Sequence, residues 1–197
     1  MAKETKERIL EAALNTFSRR GYAGTNLSDI AAEVGVVKSA LYRHFESKEA
    51  LWNGLLDRMH AYYTEHFGSE GNMPPIPQNA AELLSLTEHM MRFTVYDEKV
   101  TACRKLLLTE QFRNEKARAL AAEHFSYGPE KLFKAIFEKM IKSGTMKAGD
   151  PAMAAFSFCA PISMLVHQCD REPEKREETI SKALVFTARF ILENRIP

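Results

Sequence analysis

Residues 26–45, NLSDIAAEVGVVKSALYRHF, carry the pattern of two short helices joined by a tight turn. Asn26 can cap the first helix, and Asp29 can reach back to it as in a capping box. An apolar stripe at helical spacing follows, and Gly35 comes after it as a left-handed terminator. The pattern therefore predicts a helix-turn-helix, a geometry that leaves the second helix free to lie in the major groove of DNA.

The second helix of this motif offers a polar and basic face. Lys38 and Arg43 can neutralise phosphates, and Arg43 can instead form a fork with a guanine edge. The hydroxyls of Ser39 and Tyr42 can donate to phosphate oxygens, while the Val37 methyls or the Tyr42 ring can pack on a thymine methyl. Any one of these residues could instead belong to an ordinary solvated helix face. The predicted DNA contacts are Thr25, Ser28, Val37, Lys38, Ser39, Tyr42, Arg43, His44 and Lys48.

The overall charge is nearly balanced, at +1 for the 197-residue chain. Such a protein does not coat nucleic acid non-specifically, so any DNA affinity must come from a local patch. The acidic side chains Glu4, Glu7 and Glu11 fall early in the first helix, whereas basic and polar groups gather at the motif. For DNA binding, the position of the charged residues therefore matters more than the net charge of the chain.

The sequence does not predict an enzyme. Serine nucleophile elbows, Gly-rich phosphate loops and zinc spacings are not found in it. A helical di-iron site needs Glu-x-x-His on two helices, and the nearest pattern is a single Asp57-x-x-His60. We therefore expect no catalytic residues, no metal and no cofactor.

Apolar runs and cysteines indicate the compartment of the protein and whether it enters a membrane. No apolar run approaches the ~20 residues of a membrane span, and the start, MAKETKERIL, lacks the apolar core of a secretory signal. The three cysteines, Cys103, Cys159 and Cys169, do not form a disulfide framework. We expect each to be a small buried side chain, with a thiol sensor as the alternative. These features predict a cytoplasmic protein without a membrane partner.

The rest of the chain predicts only helices, so the expected fold is all-α. Ser47 is a candidate N-cap for a long helix that ends near Phe67, and residues 68–78, GSEGNMPPIPQ, predict a loop. We place a helix-turn-helix domain of three helices at 1–46 and a helical bundle for ligand binding and dimerisation at 47–197. The other predicted helices cover 4–20, 80–96, 98–113, 115–126, 150–169, 173–194 and a segment from Pro129 to just before Gly144.

Residues 8–55 resemble the N-terminal domain of the TetR family of transcriptional regulators. The resemblance covers RILEAALNTFSRRGYAGTNLSDIAAEVGVVKSALYRHFESKEAL, and one departure is Val37, where the family usually has a capping Ser or Thr. The matching positions are Ile9, Ala12, Ala13, Phe17, Gly21, Tyr22, Thr25, Ile30, Ala31, Gly35, Val36, Lys38, Leu41, Tyr42, His44, Phe45, Lys48 and Leu51. Beyond these residues the chain resembles the family only in helical character and length.

The resemblance implies that the second half senses a small molecule, and its Phe and Met residues could enclose a largely apolar pocket. A plain bundle core is the alternative for each of these residues. Polar side chains such as Glu110, Gln111 and His124 could orient a ligand. The predicted ligand contacts are Met90, Phe93, Tyr96, Phe112, Phe125, Phe137, Phe158 and His167.

The resemblance also implies that the last two long helices form a homodimer. The final helix is apolar over much of its circumference, so it has more than one neighbour, although an intramolecular core remains the alternative for each residue. The predicted interface residues are Phe156, Ile180, Leu184, Phe186, Ala188 and Ile191. Pro161 interrupts the preceding helix and is expected to kink it.

Together these expectations describe a repressor that binds near-palindromic double-stranded operator DNA as a homodimer and is released by an effector. A homodimer carries the second helix of the motif twice, and the two copies fit one face of B-DNA when they lie ~34–36 Å apart. The competing hypothesis is a protein-interaction adaptor with a vestigial helix-turn-helix, which the near-neutral charge leaves open.

Overall fold

The computed structural model describes residues 2–68 and 73–197. All regular structure in these two ranges is helical, as the sequence predicted. The helices are α1 (Ala2–Arg20), α2 (Leu27–Val34), α3 (Lys38–Tyr42), α4 (Lys48–Phe67), α5 (Ala80–Tyr96), α6 (Glu98–Glu110), α7 (Glu115–Ala122), a π-helix (Glu123–Tyr127), α8 (Gly128–Lys142), α9 (Pro151–Arg171), a short 3₁₀-helix (Pro173–Lys175) and α10 (Arg176–Glu193).

Most predicted helix boundaries agree with the structure. The Ser47 hydroxyl accepts a hydrogen bond from the Ala50 backbone N–H at 2.9 Å, which caps α4 as expected. Within the predicted loop at 68–78, residues 73–78 are non-helical, and residues 69–72 lie outside the described part of the chain.

The boundaries at the end of α6, at the end of α7 and at the start of α10 differ from the prediction, and α10 begins at Arg176 instead of 173. Helix α6 ends at Glu110 instead of continuing to 113, because Asn114 begins the next helix by accepting the Ala117 N–H on its side-chain oxygen at 2.9 Å. Helix α7 gives way to the π-helix, in which the Gly128 N–H donates to the Glu123 carbonyl. A Cβ on Gly128 would collide with that carbonyl, so the wider turn requires glycine there.

The chain packs as two compact units that do not follow the predicted division at 46 and 47. The first unit holds the described residues up to Tyr63 together with Thr101–Ala121, and the second holds the described residues of Thr64–Val100 together with Ala122–Pro197. Helices α4 and α6 therefore each contribute residues to both units. The division after residue 46 separates the predicted DNA-binding domain from the predicted domain for ligand binding and dimerisation, and it stays a prediction.

The core of the first unit is built around α1 and α4. Apolar side chains at helical spacing on both helices are fully buried, and Trp52 contributes the largest of them. The Trp52 ring meets Phe17 edge-on at a centroid distance of 5.2 Å and Tyr22 at 5.0 Å. Burying a large apolar side chain supplies ~1.5–3 kcal/mol, so this cluster contributes to the stability of the unit.

Two apolar cores are found among the described residues of the second unit. The larger one is dominated by aromatic rings, with Phe158 at its centre. Its ring centroid lies 4.8 Å from that of Phe133, 5.5 Å from Phe137 and 4.9 Å from Phe190. The smaller core consists of Met91, Val95, Leu165, Cys169, Ile180 and Ala183.

Helix α9 contributes to both of these cores. By length and composition it would be able to cross a membrane, with a mean hydropathy of 1.3 over 18 residues. This corrects the statement that no apolar run approaches such a span. One side of the helix nevertheless packs inward through Phe158 and Leu165, the pattern of a helix in a bundle.

The buried cysteines lead to a prediction. Cys103, Cys159 and Cys169 are all buried, and burial, with a smaller effect of the Glu130 carboxylate, raises the pKa of the Cys159 thiol to about 12. Because the thiolate is the reactive form, the native protein should react with a thiol reagent such as dithionitrobenzoate at pH 8 far more slowly than the protein in guanidinium chloride. Rapid modification of any one thiol in the native protein would contradict this and support a thiol sensor.

Candidate nucleic-acid interface

The turn between α2 and α3 has the geometry that the sequence predicted. Gly35 adopts φ 78°, in the left-handed region, and the Val36 N–H donates to the Ala31 carbonyl at 2.9 Å. At the start of α2 the Asn26 N–H donates to the Asp29 carboxylate at 3.2 Å. These local hydrogen bonds fix the path of the chain from α2 into α3.

Side chains of α1 hold α2 in place from outside the motif. The Arg8 guanidinium donates to the Val34 carbonyl at 2.9 Å, which satisfies an open acceptor at the end of α2. The Glu33 carboxylate accepts hydrogen bonds from the Thr16 hydroxyl at 2.8 Å and from Arg19 at 2.9 Å. Sequence reasoning did not find these contacts, because they join residues 14–26 positions apart that fit no local motif.

Helix α3 is short and is anchored by two apolar side chains. Leu41 and Phe45 are buried, and the Phe45 ring lies against Gly54 of α4. A Cβ at Gly54 would lie 2.9 Å from the ring edge, so glycine at this position lets α4 approach the end of α3. The opposite face of α3 is therefore turned to solvent.

The exposed face of α3 carries most of the predicted DNA contacts. Lys38, Ser39, Tyr42 and Arg43 are exposed, and the Lys38 ammonium lies 5.9 Å from the centroid of the Tyr42 ring. Val37 occupies the N-cap position in extended conformation without a side-chain hydrogen bond and is 70% exposed. An apolar side chain this exposed, next in sequence to Lys38, matches the chemistry of a base edge bordered by phosphates.

Lys48 is held at the start of α4 by an aromatic ring. Its ammonium lies 4.4 Å from the centroid of the Tyr22 ring, which in turn packs on Trp52. The face of an aromatic ring attracts a cation, so the Tyr22 ring favours a position of the Lys48 charge next to the turn after α1. His44 is half-buried next to this region.

Of the two contacts predicted before the turn at Gly35, Ser28 is exposed and Thr25 is not. Thr25 is fully buried, and its hydroxyl donates to the Gly21 carbonyl at 2.9 Å. This corrects the assignment of Thr25 as a DNA contact, because its polar group already stabilises the turn after α1.

Among the described residues, the predicted ligand contacts are brought together only in part, since Met90 packs against the core that holds Phe137 and Phe158. Phe137 and Phe158 belong to the aromatic core, which favours the alternative of a plain core for them, while Phe112 is 85% exposed in the turn after α6. Phe93 is half-buried and stacks on His66 at 4.8 Å. Met90, Phe125 and His167 are also half-buried.

Tyr96, the remaining predicted ligand contact, is exposed and takes part in an ionic cluster. Its hydroxyl donates to Glu177 at 2.6 Å, and Arg92 forms an ion pair with the same carboxylate at 2.8 Å. The hydrogen bonds from Arg92 and then Tyr96 lower the pKa of Glu177. The Tyr96 hydroxyl is thereby engaged between α5 and α10.

The predicted dimer contacts divide into two groups. Ile180 and Ile191 are buried in the cores of their own chain, which corrects their assignment to an interface, and Leu184 and Phe186 are half-buried beside those cores. Phe156 and Ala188 are exposed. They belong to two outward stripes that the structure reveals: Met153, Phe156, Ala160 and Met164 on α9, and Ser181, Val185, Ala188 and Leu192 on α10.

Comparison with known proteins identifies the first unit's motif. Residues 9–55 match the family model "Bacterial regulatory proteins, tetR family". A relative in Pseudomonas putida, the HTH-type transcriptional regulator TtgR, is 48% identical over 59 residues, which are 30% of this chain and 28% of that protein. The matched region thus spans little more than a quarter of this curated relative.

Solved structures extend the likeness to nearly the whole fold. A complex of SmeT with triclosan matches with a TM-score of 0.73 and 22% identity over 93% of this chain and 90% of the other; SmeT is the repressor of the Stenotrophomonas maltophilia multidrug efflux pump SmeDEF. AibR bound to isovaleryl coenzyme A and operator DNA matches with a TM-score of 0.65 and 19% identity over 91% and 96% of the two chains. At these identities the likeness concerns the fold.

Proposed function

We propose that the chain, whose residues 9–55 match the tetR family of bacterial regulatory proteins, is a transcriptional repressor of that family. It acts in the cytoplasm, binds near-palindromic operator DNA as a homodimer and is released by a small-molecule effector. Residues 1–46 form the DNA-binding domain in this proposal, and residues 47–197 serve the effector and the dimer.

The observation that carries the proposal is the exposed face of α3. Lys38, Ser39, Tyr42 and Arg43 point to solvent from a helix whose other side is locked by Leu41. Cations, hydroxyls and an exposed Val37 on one rigid surface supply both phosphate contacts and base-edge contacts. The nearly neutral chain concentrates its nucleic-acid chemistry there.

The two outward stripes support the homodimer. They consist of apolar and small side chains, and Leu192 is 79% exposed in the single chain. Apolar stripes on adjacent long helices are suited to an isologous contact in which the same surface of a second copy covers them. A dimer of this kind presents two copies of α3, which fit one face of DNA at a spacing of ~34–36 Å.

The effector is proposed to be largely apolar and to bind among helices of the second unit. Support comes from half-buried aromatic side chains there, with Phe93 stacked on His66 and 5.2 Å from Phe67. Adaptable Met90 lies on the same helix, α5. The effector releases DNA only to the extent that it binds the DNA-free conformation more tightly.

Selection of bound fragments from a genomic DNA pool tests the repressor proposal. The wild-type chain should enrich a few near-palindromic fragments, and Tyr42→Ala with Lys48→Ala should lower their affinity at least ~10-fold, because each lost contact weakens binding. Tyr127→Ala with Lys131→Ala is the matched control. It removes the same groups from exposed positions in the second unit and should bind like wild type.

The salt dependence of DNA affinity distinguishes the repressor proposal from the adaptor hypothesis. Affinity that falls steeply with salt reflects phosphate neutralisation, and the double variant should have a shallower slope than its matched control. If the wild-type chain enriches no fragment, the repressor proposal fails and the adaptor hypothesis takes its place.

A further inference from the structure

A buried carboxylate at the end of α6 contacts the turn between α1 and α2. Glu110 is only 3% exposed, and its Oε1 atom accepts a hydrogen bond from the Tyr22 backbone N–H at 2.9 Å. The two residues are 88 positions apart in the sequence. Burying a carboxylate is costly unless it is hydrogen-bonded, so this contact gives the charge a structural role.

The turn is shaped to receive this carboxylate. Gly21 adopts φ +71°, and a Cβ at that position would lie 2.9 Å from Glu110 Oε1. The carbonyl of Gly21 accepts the Thr25 hydroxyl at 2.9 Å, and Thr25 directly precedes the N-cap of α2. Direct contacts thus connect the Glu110 carboxylate, through the turn after α1, to the start of α2.

The same turn positions a cation of the proposed DNA surface. The Tyr22 ring packs on Trp52 at 5.0 Å and carries the Lys48 ammonium at 4.4 Å. A displacement of the Tyr22 backbone would therefore alter both the start of α2 and the place of the Lys48 charge.

We infer that Glu110 is a positioning residue through which α6 sets the helix-turn-helix. Helix α6 begins with residues of the second unit and ends at Glu110 in the first, and its last residue is tied to the turn before α2 by a charge-assisted hydrogen bond. The consequence for DNA binding rests on the proposed function, whereas the contact itself does not.

Glu110→Met and Glu110→Gln in the full chain test the inference. Both remove one negative charge and keep the length of the side chain, but only glutamine retains an oxygen that can accept the Tyr22 N–H. By NMR hydrogen exchange, the Tyr22 amide should exchange at least ~10-fold faster in Glu110→Met and within about 2-fold of wild type in Glu110→Gln. Trp52, the only tryptophan, should change its emission in Glu110→Met alone.

DNA affinity provides the second measurement, at a temperature where every variant is fully folded. Glu110→Met should bind a selected fragment about 10-fold more weakly, while Glu110→Gln should bind like wild type. Glu115→Met is the matched control, because it removes an exposed carboxylate from the same unit with the same change in charge. A purely structural role would lower the melting temperature of Glu110→Met and leave its DNA affinity unchanged.

The outcomes are distinguishable. Unchanged Tyr22 exchange in Glu110→Met, equal weakening by methionine and glutamine, or faster exchange without loss of affinity would each overturn the inference. If wild type binds no DNA while Tyr22 exchange responds as expected, the repressor proposal fails and the positioning role stands. Should Glu110→Met not fold, Gly21→Ala presses on the same oxygen and should give the same faster exchange.

Discussion

Phe156→Glu is expected to turn the proposed dimer into monomers and to weaken the proposed operator binding by about 10³-fold or more, the lower limit of the range that separates specific from non-specific binding. Phe156 is 57% exposed at the middle of the outward stripe on α9. A second copy would bury the new carboxylate against apolar side chains, and an unpaired buried charge opposes association. A monomer then reaches only one half-site.

Analytical ultracentrifugation and DNA titration check this prediction together. Ala148→Glu is the matched control, since it adds the same charge at an exposed position in the loop before α9 and should remain dimeric. Because Phe156 lies outside the cores, the variant chain should keep its helical content. A Phe156→Glu protein that sediments as a dimer would show that the α9 stripe is not the interface.

Phe158→Ala is expected to lower the free energy of unfolding by about 3–5 kcal/mol, the usual cost of removing a buried aromatic ring. Phe158 is 1% exposed and lies among the rings of Phe133, Phe137 and Phe190. For a chain of this size the melting temperature should fall by roughly 10 °C.

Phe112→Ala makes the same truncation at a side chain that is 85% exposed. It should change stability by less than about 0.5 kcal/mol. The sequence had assigned both phenylalanines to one ligand pocket, so similar and small effects of the two substitutions would argue that Phe158 lines an open cavity after all.

The helix-turn-helix could be predicted because its determinants are close in sequence. Asn26 and Asp29 are three residues apart, and Gly35 ends α2 by adopting a left-handed backbone conformation. Short-range hydrogen bonds and a left-handed turn leave a local signature. By contrast, the contact between Glu110 and Tyr22 joins two segments that are distant in sequence, and no local sequence pattern near either residue predicts it.

The second unit was harder to predict because α10 is apolar on more than one face. Ile180 and Ile191 have the spacing of an interface stripe but pack into their own chain, while Val185 and Leu192 face outward. Periodicity identifies a stripe and not its neighbour. The same limit explains why Phe137 and Phe158 could be taken for a pocket when they fill a core.

The way α3 is anchored has a consequence for how such a chain can diversify. Leu41 and Phe45 hold the helix on its buried side, and Gly54 makes room for the Phe45 ring, whereas Val37, Ser39 and Tyr42 project from the other side. Residues that secure the scaffold are thus separate from those that would read bases. Mutation can explore new operator sequences at the outer positions with little effect on folding, so a duplicated copy of the gene has an accessible route to a new target.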